Sequence, residues 1–177
     1  MSGKIDWLDT LPPDRAEAEL LPCCASPTWA RKVVARSPYS NTEHLIAAAV
    51  AGVRELSWPE VEQALSAHPR IGDKAAVDIS APDSKQAQRE ANWSRTEQSA
   101  AATADPAVLR ELAEGNLAYE QRFGHVFLIR ATDRSAQEML SELRKRLDND
   151  VEDERAVIQS ELAEITALRV RKLLEDR

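Results

Sequence analysis

The sequence predicts an all-α fold, a compact single-domain bundle of about six or seven long helices plus short N-terminal helices, over residues 1–177. Glycine is scarce, with 5 residues in 177 (about 3%, where roughly 7% is usual), and alanine is abundant, with 28 residues. Helices avoid glycine and favour alanine, whereas the turns of β-proteins need glycine. A chain of this length can also bury a core without disulfide or metal cross-links.

The N-terminal third predicts short helices followed by two longer ones. The first forty residues contain five prolines, which separate short helices with turns. Asn41 has the position of an N-cap for an apolar helix over 42–55. Ser57 and Glu60 have the spacing of a capping box, which opens a helix that runs to about Ala67.

The middle of the chain predicts a turn and then two long helices. The string HPRIGD, residues 68–73, ends the preceding helix, because its proline cannot donate a helical hydrogen bond and its glycine permits a turn. Residues 84–102 contain no glycine or proline and predict a helix. Asp105 followed by Pro106 is typical of a cap and first helical residue, and this helix is predicted to reach about Arg122.

The C-terminal third begins with a short apolar run at 126–129, which predicts either an extended segment or the start of a helix. Ser135 and Glu138 then have the spacing of a second capping box, opening a helix to about Leu147. A last helix is predicted over roughly 152–174.

Charge and cysteine content exclude several functional classes. The chain has 30 acidic and 23 basic residues, for a net charge of −7, whereas a nucleic-acid-binding protein needs clustered basic residues. It contains neither an apolar run of the ~20 residues that span a bilayer nor a signal-like N-terminus. The adjacent Cys23 and Cys24 fit a reducing compartment. We therefore expect a cytoplasmic protein with no nucleic-acid or membrane partner.

The sequence shows no pattern of a bound metal or nucleotide. Its 3 histidines and 2 cysteines lack the spacing of zinc ligands, and no P-loop or dinucleotide fingerprint is present. A nucleophilic role for Cys23 or Cys24 is less favoured than burial as a small apolar residue, because no activating group lies nearby in sequence. We expect no metal and no cofactor.

One arginine breaks the apolar pattern of the last helix. Arg169 shares a face with a stripe of apolar residues: Ile158, Leu162, Ile165 and Leu173. It either pairs with an acidic residue of the chain or faces a pocket and a charged ligand. The second alternative predicts that Arg169→Ala gives a stable, poorly active protein.

Two further polar features have both structural and functional interpretations. Ser94, Glu97 and Gln98 share a helical face and either converge on one small polar molecule or form an ordinary solvated surface. His68 ends a helix directly before a proline, where it is either a capping or surface residue or a catalytic one.

Four ordered blocks cover most of the chain and carry the motifs of one known family. They are HPRIG at 68–72, S-x-x-E-Q at 94–98, N-x-x-Y-x-x-R-F-G-x-x-F-x-I at 116–129 and E-L-x-x-I-x-x-L-R at 161–169. These blocks resemble the 2-oxo-4-hydroxy-4-carboxy-5-ureidoimidazoline (OHCU) decarboxylases. A C-C-x-S-x-x-W string at 23–29 is also in keeping with that family, whereas His125 stands where the family often has an apolar or aromatic residue.

The resemblance implies an all-α homodimer, without metal or organic cofactor, that converts OHCU to S-allantoin in the last step from urate. It implies that His68 is the proton donor and that Glu97 and Arg169 are the other catalytic residues. The implied substrate site consists of Pro69, Ser94, Arg95, Thr96, Glu97, Gln98, Phe127, Leu128, Ile129, Arg130 and Ala131.

The chemistry is compatible with the absence of a cofactor, because the unsaturated C=N centre of OHCU itself accepts the electron pair released with CO₂. Either His68 or Glu97 makes the decisive proton transfer. Two alternatives remain. One is a non-catalytic acidic helical module that dimerises or binds a partner through the apolar stripe of its last helix; the other is a lyase or hydrolase for a different ureido compound.

Overall fold

A computed structural model describes residues 3–72 and 85–177. In these ranges the chain forms ten helices and no strand, which confirms the predicted all-α class. The helices are α1 (Gly3–Thr10), α2 (Pro13–Cys24), α3 (Pro27–Ala35), α4 (Thr42–Arg54), α5 (Trp58–Leu65), α6 (Lys85–Glu97), α7 (Ser99–Ala102), α8 (Pro106–Phe123), α9 (Ala136–Arg146) and α10 (Val151–Glu175).

The predicted cap residues mark where helices begin. The side chains of Asn41, Asp105 and Ser135 each accept a hydrogen bond from a backbone N–H in the first turn of α4, α8 and α9. Ser57 and Glu60 form the predicted capping box of α5. These starts are predictable because a cap depends on residues within one turn of each other.

The predicted helix over 84–102 differs from the structure, and its first residue lies outside the described ranges. The described part is two helices, α6 and α7, separated at Gln98, whose backbone (φ −94°, ψ 14°) departs from helical geometry. The apolar run at 126–129 is not helical. Of the two predictions for this run, the start of a helix is therefore wrong.

The core forms around the C-terminal helix. α10 packs against α1, α2 and α4, while α2 also contacts α3 and α6, and α9 lies against α8. The predicted stripe of α10 is buried in this core. In α8, Gly115 permits a close approach to α9, since a Cβ there would lie 2.5 Å from Leu143 Cδ2.

Both cysteines are buried and unpaired. Burial raises the pKa of each thiol, to about 12 for Cys24, so neither forms the reactive thiolate near neutral pH. Every helix of residues 3–72 and 85–177 is too short or too polar to cross a membrane. Within the same ranges, no three His, Cys, Asp or Glu side chains are grouped as a metal site requires.

Candidate active site

Arg169 is the centre of a buried polar cluster contributed by α2, α6 and α10. Its guanidinium is 1% exposed and binds Glu97 through two hydrogen bonds, from Nε to Oε1 at 3.1 Å and from Nη2 to Oε2 at 3.0 Å. Nη2 also donates to Ser94 Oγ at 3.0 Å, and Nη1 donates to the carbonyl oxygen of Pro22 at 2.9 Å. The structure therefore matches the ion-pair alternative for Arg169, because groups of the chain itself occupy most of its donors.

Two more charged side chains complete this cluster. Lys172 Nζ lies 3.6 Å from Glu97 Oε1, so that Glu97 faces two cations. Glu90 Oε1 lies 3.8 Å from Arg169 Nη1 and is buried without a hydrogen-bond partner in the described part of the chain. Burial raises the pKa of Glu90 to about 7; the charge of Arg169 opposes this rise and that of Glu97 adds to it.

Helical spacing explains how α6 supplies its part of the cluster. Glu90, Ser94 and Glu97 are separated by four and three residues and thus lie on one face of α6, as predicted for Ser94 and Glu97. That face meets Arg169 instead of solvent, since Ser94 is 6% exposed. The interpretation of this face as an ordinary solvated surface is wrong.

The structure does not bring the side chains of Arg95 and Thr96 to the cluster. Both are exposed, and both bond back to Asn92 one turn earlier, Arg95 to its side-chain oxygen and Thr96 to its backbone carbonyl at 3.0 Å.

His68 is buried three residues after the end of α5. It is 8% exposed, and its Nε2 has no hydrogen-bond partner among the residues described. Burial, together with a smaller effect of the charge of Arg169, lowers the pKa of the imidazole to about 3, so the ring is neutral at neutral pH. The interpretation of His68 as a surface or capping residue is therefore wrong.

The side chains of Asn116 in α8 and of Gln98, between α6 and α7, hold the turn that follows His68. Two residues after the half-buried Pro69, the carbonyl of Ile71 accepts a hydrogen bond from Asn116 Nδ2 at 3.0 Å. Gly72 has a positive φ of 77° and donates its N–H to Gln98 Oε1 at 3.2 Å. Gln98, the residue that separates α6 from α7, is thus also the residue whose side chain binds this turn.

The outer side of the same turn carries an exposed ion pair and a cavity. Arg70 binds Glu120 through two hydrogen bonds of 2.7 and 2.8 Å. The cavity has a volume of about 320 Å³ and is lined by Arg70, Ile71, Gly72, Ala113, Asn116 and Leu117. Its lining does not include Arg169 or His68, so it is distinct from the buried cluster.

The predicted substrate segment 127–131 lies between α8 and α9, and its members are buried except for the half-buried Arg130. The carbonyl of Leu128 accepts a hydrogen bond from Arg146 Nη1 at 2.8 Å, and the Arg146 guanidinium carbon lies 4.5 Å from the centroid of the Phe127 ring. Arg130 donates its backbone N–H to Glu161 Oε2 at 2.9 Å. These contacts tie the segment to α9 and α10.

A buried carboxylate fixes Arg146 in turn. Glu154 is fully buried and accepts hydrogen bonds from Arg146 Nε at 2.8 Å and Nη2 at 2.6 Å. It also accepts a bond from the Tyr119 hydroxyl at 2.5 Å and one from Asn149 Nδ2 at 3.0 Å. With this many partners, the ion pair can remain charged within the core.

A model of the OHCU decarboxylase family matches residues 9–171, which is nearly the whole chain. The chain belongs to this family. The four blocks that resembled OHCU decarboxylases in the sequence lie within the matched range.

A curated relative from Arabidopsis thaliana, the uric acid degradation bifunctional protein TTL, is 32% identical over 162 residues. The matched region is 91% of this chain and 48% of that protein, so the chain spans about half the length of this relative.

Two solved structures are similar to this OHCU decarboxylase family member. A crystal structure of OHCU decarboxylase in the presence of (S)-allantoin has a TM-score of 0.70 and 28% identity, covering 89% of this chain and 98% of that one. A crystal structure of (S)-allantoin synthase has a TM-score of 0.67 and 18% identity, covering 96% of this chain and 53% of that one. The second comparison shows similarity of fold.

Within this family member, the structure brings together Ser94, Glu97 and Arg169, and the charge of Arg169 also acts on His68. The contacts of segment 127–131 run instead to Arg146 and Glu161. None of the site roles predicted from the sequence falls on Arg146 or Glu161, although Glu161 opens the fourth family block, and none falls on Glu90, Lys172 or Glu154. Helical spacing could have identified Lys172, one turn after Arg169, and Glu154, one turn before the buried Ile158.

Proposed function

We propose that this chain catalyses the decarboxylation of OHCU to S-allantoin without a cofactor, as the last step of urate conversion to allantoin. The observation that supports this most is the buried, neutral imidazole of His68, which is under the influence of a fixed Arg169–Glu97 ion pair and whose Nε2 has no hydrogen-bond partner among residues 3–72 and 85–177. A neutral imidazole acts first as a base and then as an acid, and this reaction needs both steps.

The reaction has two stages, loss of CO₂ to give an enol and conversion of that enol to a carbonyl compound. In the first stage the bond to the carboxylate breaks, CO₂ leaves, and the released pair forms a C=C bond to the ring carbon that bears the ureido group, while the C=N pair moves to nitrogen, which takes a proton from water. The hydroxyl then loses its proton as the carbonyl forms, and the ring carbon gains one. His68 takes the hydroxyl proton and returns a proton to one face of the ring carbon, which gives a single enantiomer.

The other cluster residues position and polarise the substrate. Glu97, held by Arg169 and near Lys172, accepts hydrogen bonds from the hydroxyl or from urea N–H groups. Ser94 is oriented by the same guanidinium. Arg169 acts on the substrate through these two side chains, which makes it a positioning residue in the proposed mechanism.

The buried segment 127–131 supplies backbone groups to the ureido and ring edges. The N–H and C=O of Ile129, a residue 2% exposed, have no protein partner within residues 3–72 and 85–177. Buried backbone groups are nearly always paired. A urea-like ligand, which carries N–H donors and C=O acceptors side by side, can supply the missing partners.

The test is incubation with freshly generated OHCU while the optical activity of allantoin is followed. OHCU also decays unaided to racemic allantoin, so loss of substrate alone proves nothing. A signal of S-allantoin that grows with protein concentration supports the proposal, whereas a racemic product formed at the spontaneous rate rejects it.

The binding-module alternative is weakened by one observation. The stripe of α10 that it needs for a partner is buried in the chain's own core, with Ile158, Leu162, Ile165 and Leu173 each 5% exposed or less. A lyase or hydrolase for another ureido compound would use the same residues, and a panel of ureido compounds tested beside OHCU distinguishes it.

We further propose that residues 1–177 form one such domain, and that it acts in the cytoplasm as a homodimer. Light scattering after size-exclusion chromatography measures the mass against the 19.7 kDa of one chain. Subcellular fractionation tests the location.

A further inference from the structure

Two backbone groups of segment 127–131 are held by side chains from different helices. Arg146 of α9 binds the carbonyl of Leu128, and Glu161 of α10 binds the N–H of Arg130 at 2.9 Å. The two anchored residues lie on either side of Ile129. The segment has no helical hydrogen bonds of its own, so these anchors determine its path.

The anchors also determine which backbone groups remain free. Alternate residues of an extended chain direct their backbone groups to opposite sides. In an extended arrangement of this non-helical segment, the anchors at Leu128 and Arg130 hold one side against the protein, and the backbone groups of Ile129 face the other side. The N–H and C=O of Ile129 are among the backbone groups of the segment that have no protein partner in the described part of the chain.

We propose that Glu161 is a positioning residue, which holds the Arg130 amide so that the backbone of Ile129 is presented to substrate. This inference rests on the proposed function of the segment. Glu161 and Arg169 are eight residues apart on α10, about 12 Å along the axis of one continuous helix. One rigid element thus fixes both the Arg169 cluster and the proposed substrate segment.

The chain supplies a matched control for this contact. Glu164, three residues further along α10, lies 3.5 Å from Arg130 Nε and has a side chain that is 50% exposed. It contacts the side chain of Arg130, whereas Glu161 binds the backbone. Comparing Glu161→Ala with Glu164→Ala therefore separates the backbone anchor from a surface charge near the same residue.

The experiment measures kcat and KM for S-allantoin formation in Glu161→Ala, Glu161→Gln and Glu164→Ala. We expect Glu161→Ala to raise KM about tenfold, as loss of one charge-assisted hydrogen bond would, with kcat changed about twofold at most. Glu161→Gln retains an acceptor oxygen, so its KM should lie close to that of the wild type. Glu164→Ala should have the KM and kcat of the wild type. A lower kcat that follows only the folded fraction, with an unchanged KM, overturns the proposal.

Amide hydrogen exchange provides a second readout that does not depend on the reaction. Glu161→Ala should speed exchange of the Arg130 amide, whereas Glu164→Ala should not. An unchanged exchange rate of the Arg130 amide in Glu161→Ala overturns the inference that Glu161 holds this amide. If the wild type gives only racemic allantoin, the proposed function fails, and the exchange data still decide whether Glu161 holds the segment.

Discussion

Arg169 and Glu97, 72 residues apart in sequence, form a buried ion pair with two hydrogen bonds of 3.1 and 3.0 Å. Their side chains are 1% and 10% exposed. Each of them orients the other, so the pair contributes both to the stability of the fold and to the geometry of the candidate site. Substitutions here should therefore change stability and activity together.

Arg169→Ala should lower the free energy of unfolding by about 3–5 kcal/mol and remove most activity, because it leaves Glu97 buried with a weaker partner. This replaces the sequence-based prediction of a stable variant. Denaturant unfolding and the S-allantoin assay measure the two effects. Arg169→Lys should also lose activity, since an ammonium cannot bind Glu97 and Ser94 in the same geometry.

The control for Arg169 is Arg171→Ala. Arg171 binds Glu43 on the surface, with side chains 47% and 69% exposed, and such pairs contribute about 0–1 kcal/mol. Its loss should leave activity intact. An Arg169→Ala protein that melts like the wild type contradicts the stabilising role of the ion pair, and one that melts early and yet retains full turnover at low temperature contradicts the positioning role.

His68→Asn should remove most activity and change the melting temperature little. The free Nε2 makes no protein hydrogen bond in the described structure, so its loss breaks none. The S-allantoin assay and a thermal melt check the two parts. His44→Asn is the matched control, because His44 is exposed and lies outside the cluster. Near-native turnover of His68→Asn would refute its role in proton transfer.

Glu90→Gln should make the protein more stable above neutral pH. The pKa of Glu90 is raised from 4.5 to about 7 in the fold, so its contribution to stability is fully present below pH 4.5 and is lost as the pH rises through 7. At pH 8 the variant should gain on the order of 1–3 kcal/mol relative to the wild type, and at pH 4 it should gain none.

Urea unfolding at both pH values measures the Glu90 effect. Glu152→Gln changes a side chain that is 82% exposed and should show no such dependence on pH. If Glu90→Gln and the wild type have parallel stability curves from pH 4 to pH 8, the carboxyl is not destabilised by burial.

Dialysis against EDTA should leave the S-allantoin activity unchanged. The proposed proton transfer uses His68, and the substrate itself accepts the electron pair. The measurement is the rate before and after dialysis, with a zinc enzyme treated in parallel as a control for chelation. A loss of activity that added metal restores would require a different mechanism.

Local rules predicted the helix starts and the shared face of Ser94 and Glu97, whereas the roles of the site residues came from the family resemblance. The cap residues and the shared face of Ser94 and Glu97 depend on spacings within two turns of a helix, and the sequence contains these directly. The apolar pattern of α10 placed Arg169 in the core but left its partner open. That partner, Glu97, comes from another helix, so only tertiary packing identifies it.

Features that depend on contact between distant elements were not predictable. His68 has the sequence context of a helix end, yet it is 8% exposed because other elements cover it. The helix break at Gln98 accompanies its bond to Gly72, 26 residues earlier. Likewise, nothing in the local sequence of Glu161 indicates that it binds the amide of Arg130.

The 25 residues of α10 carry Glu154, Glu161 and Arg169 on a single helix. Each residue of a helix advances about 100° and 1.5 Å, so one inserted or deleted residue between Glu154 and Arg169 would rotate one end of α10 against the other. Such a change would move Glu154, Glu161 or Arg169 away from the partners that each of them now contacts in a different part of the chain. Length variation during evolution should therefore be accepted in the surface loops and rejected within α10, even where individual side chains of that helix are free to change.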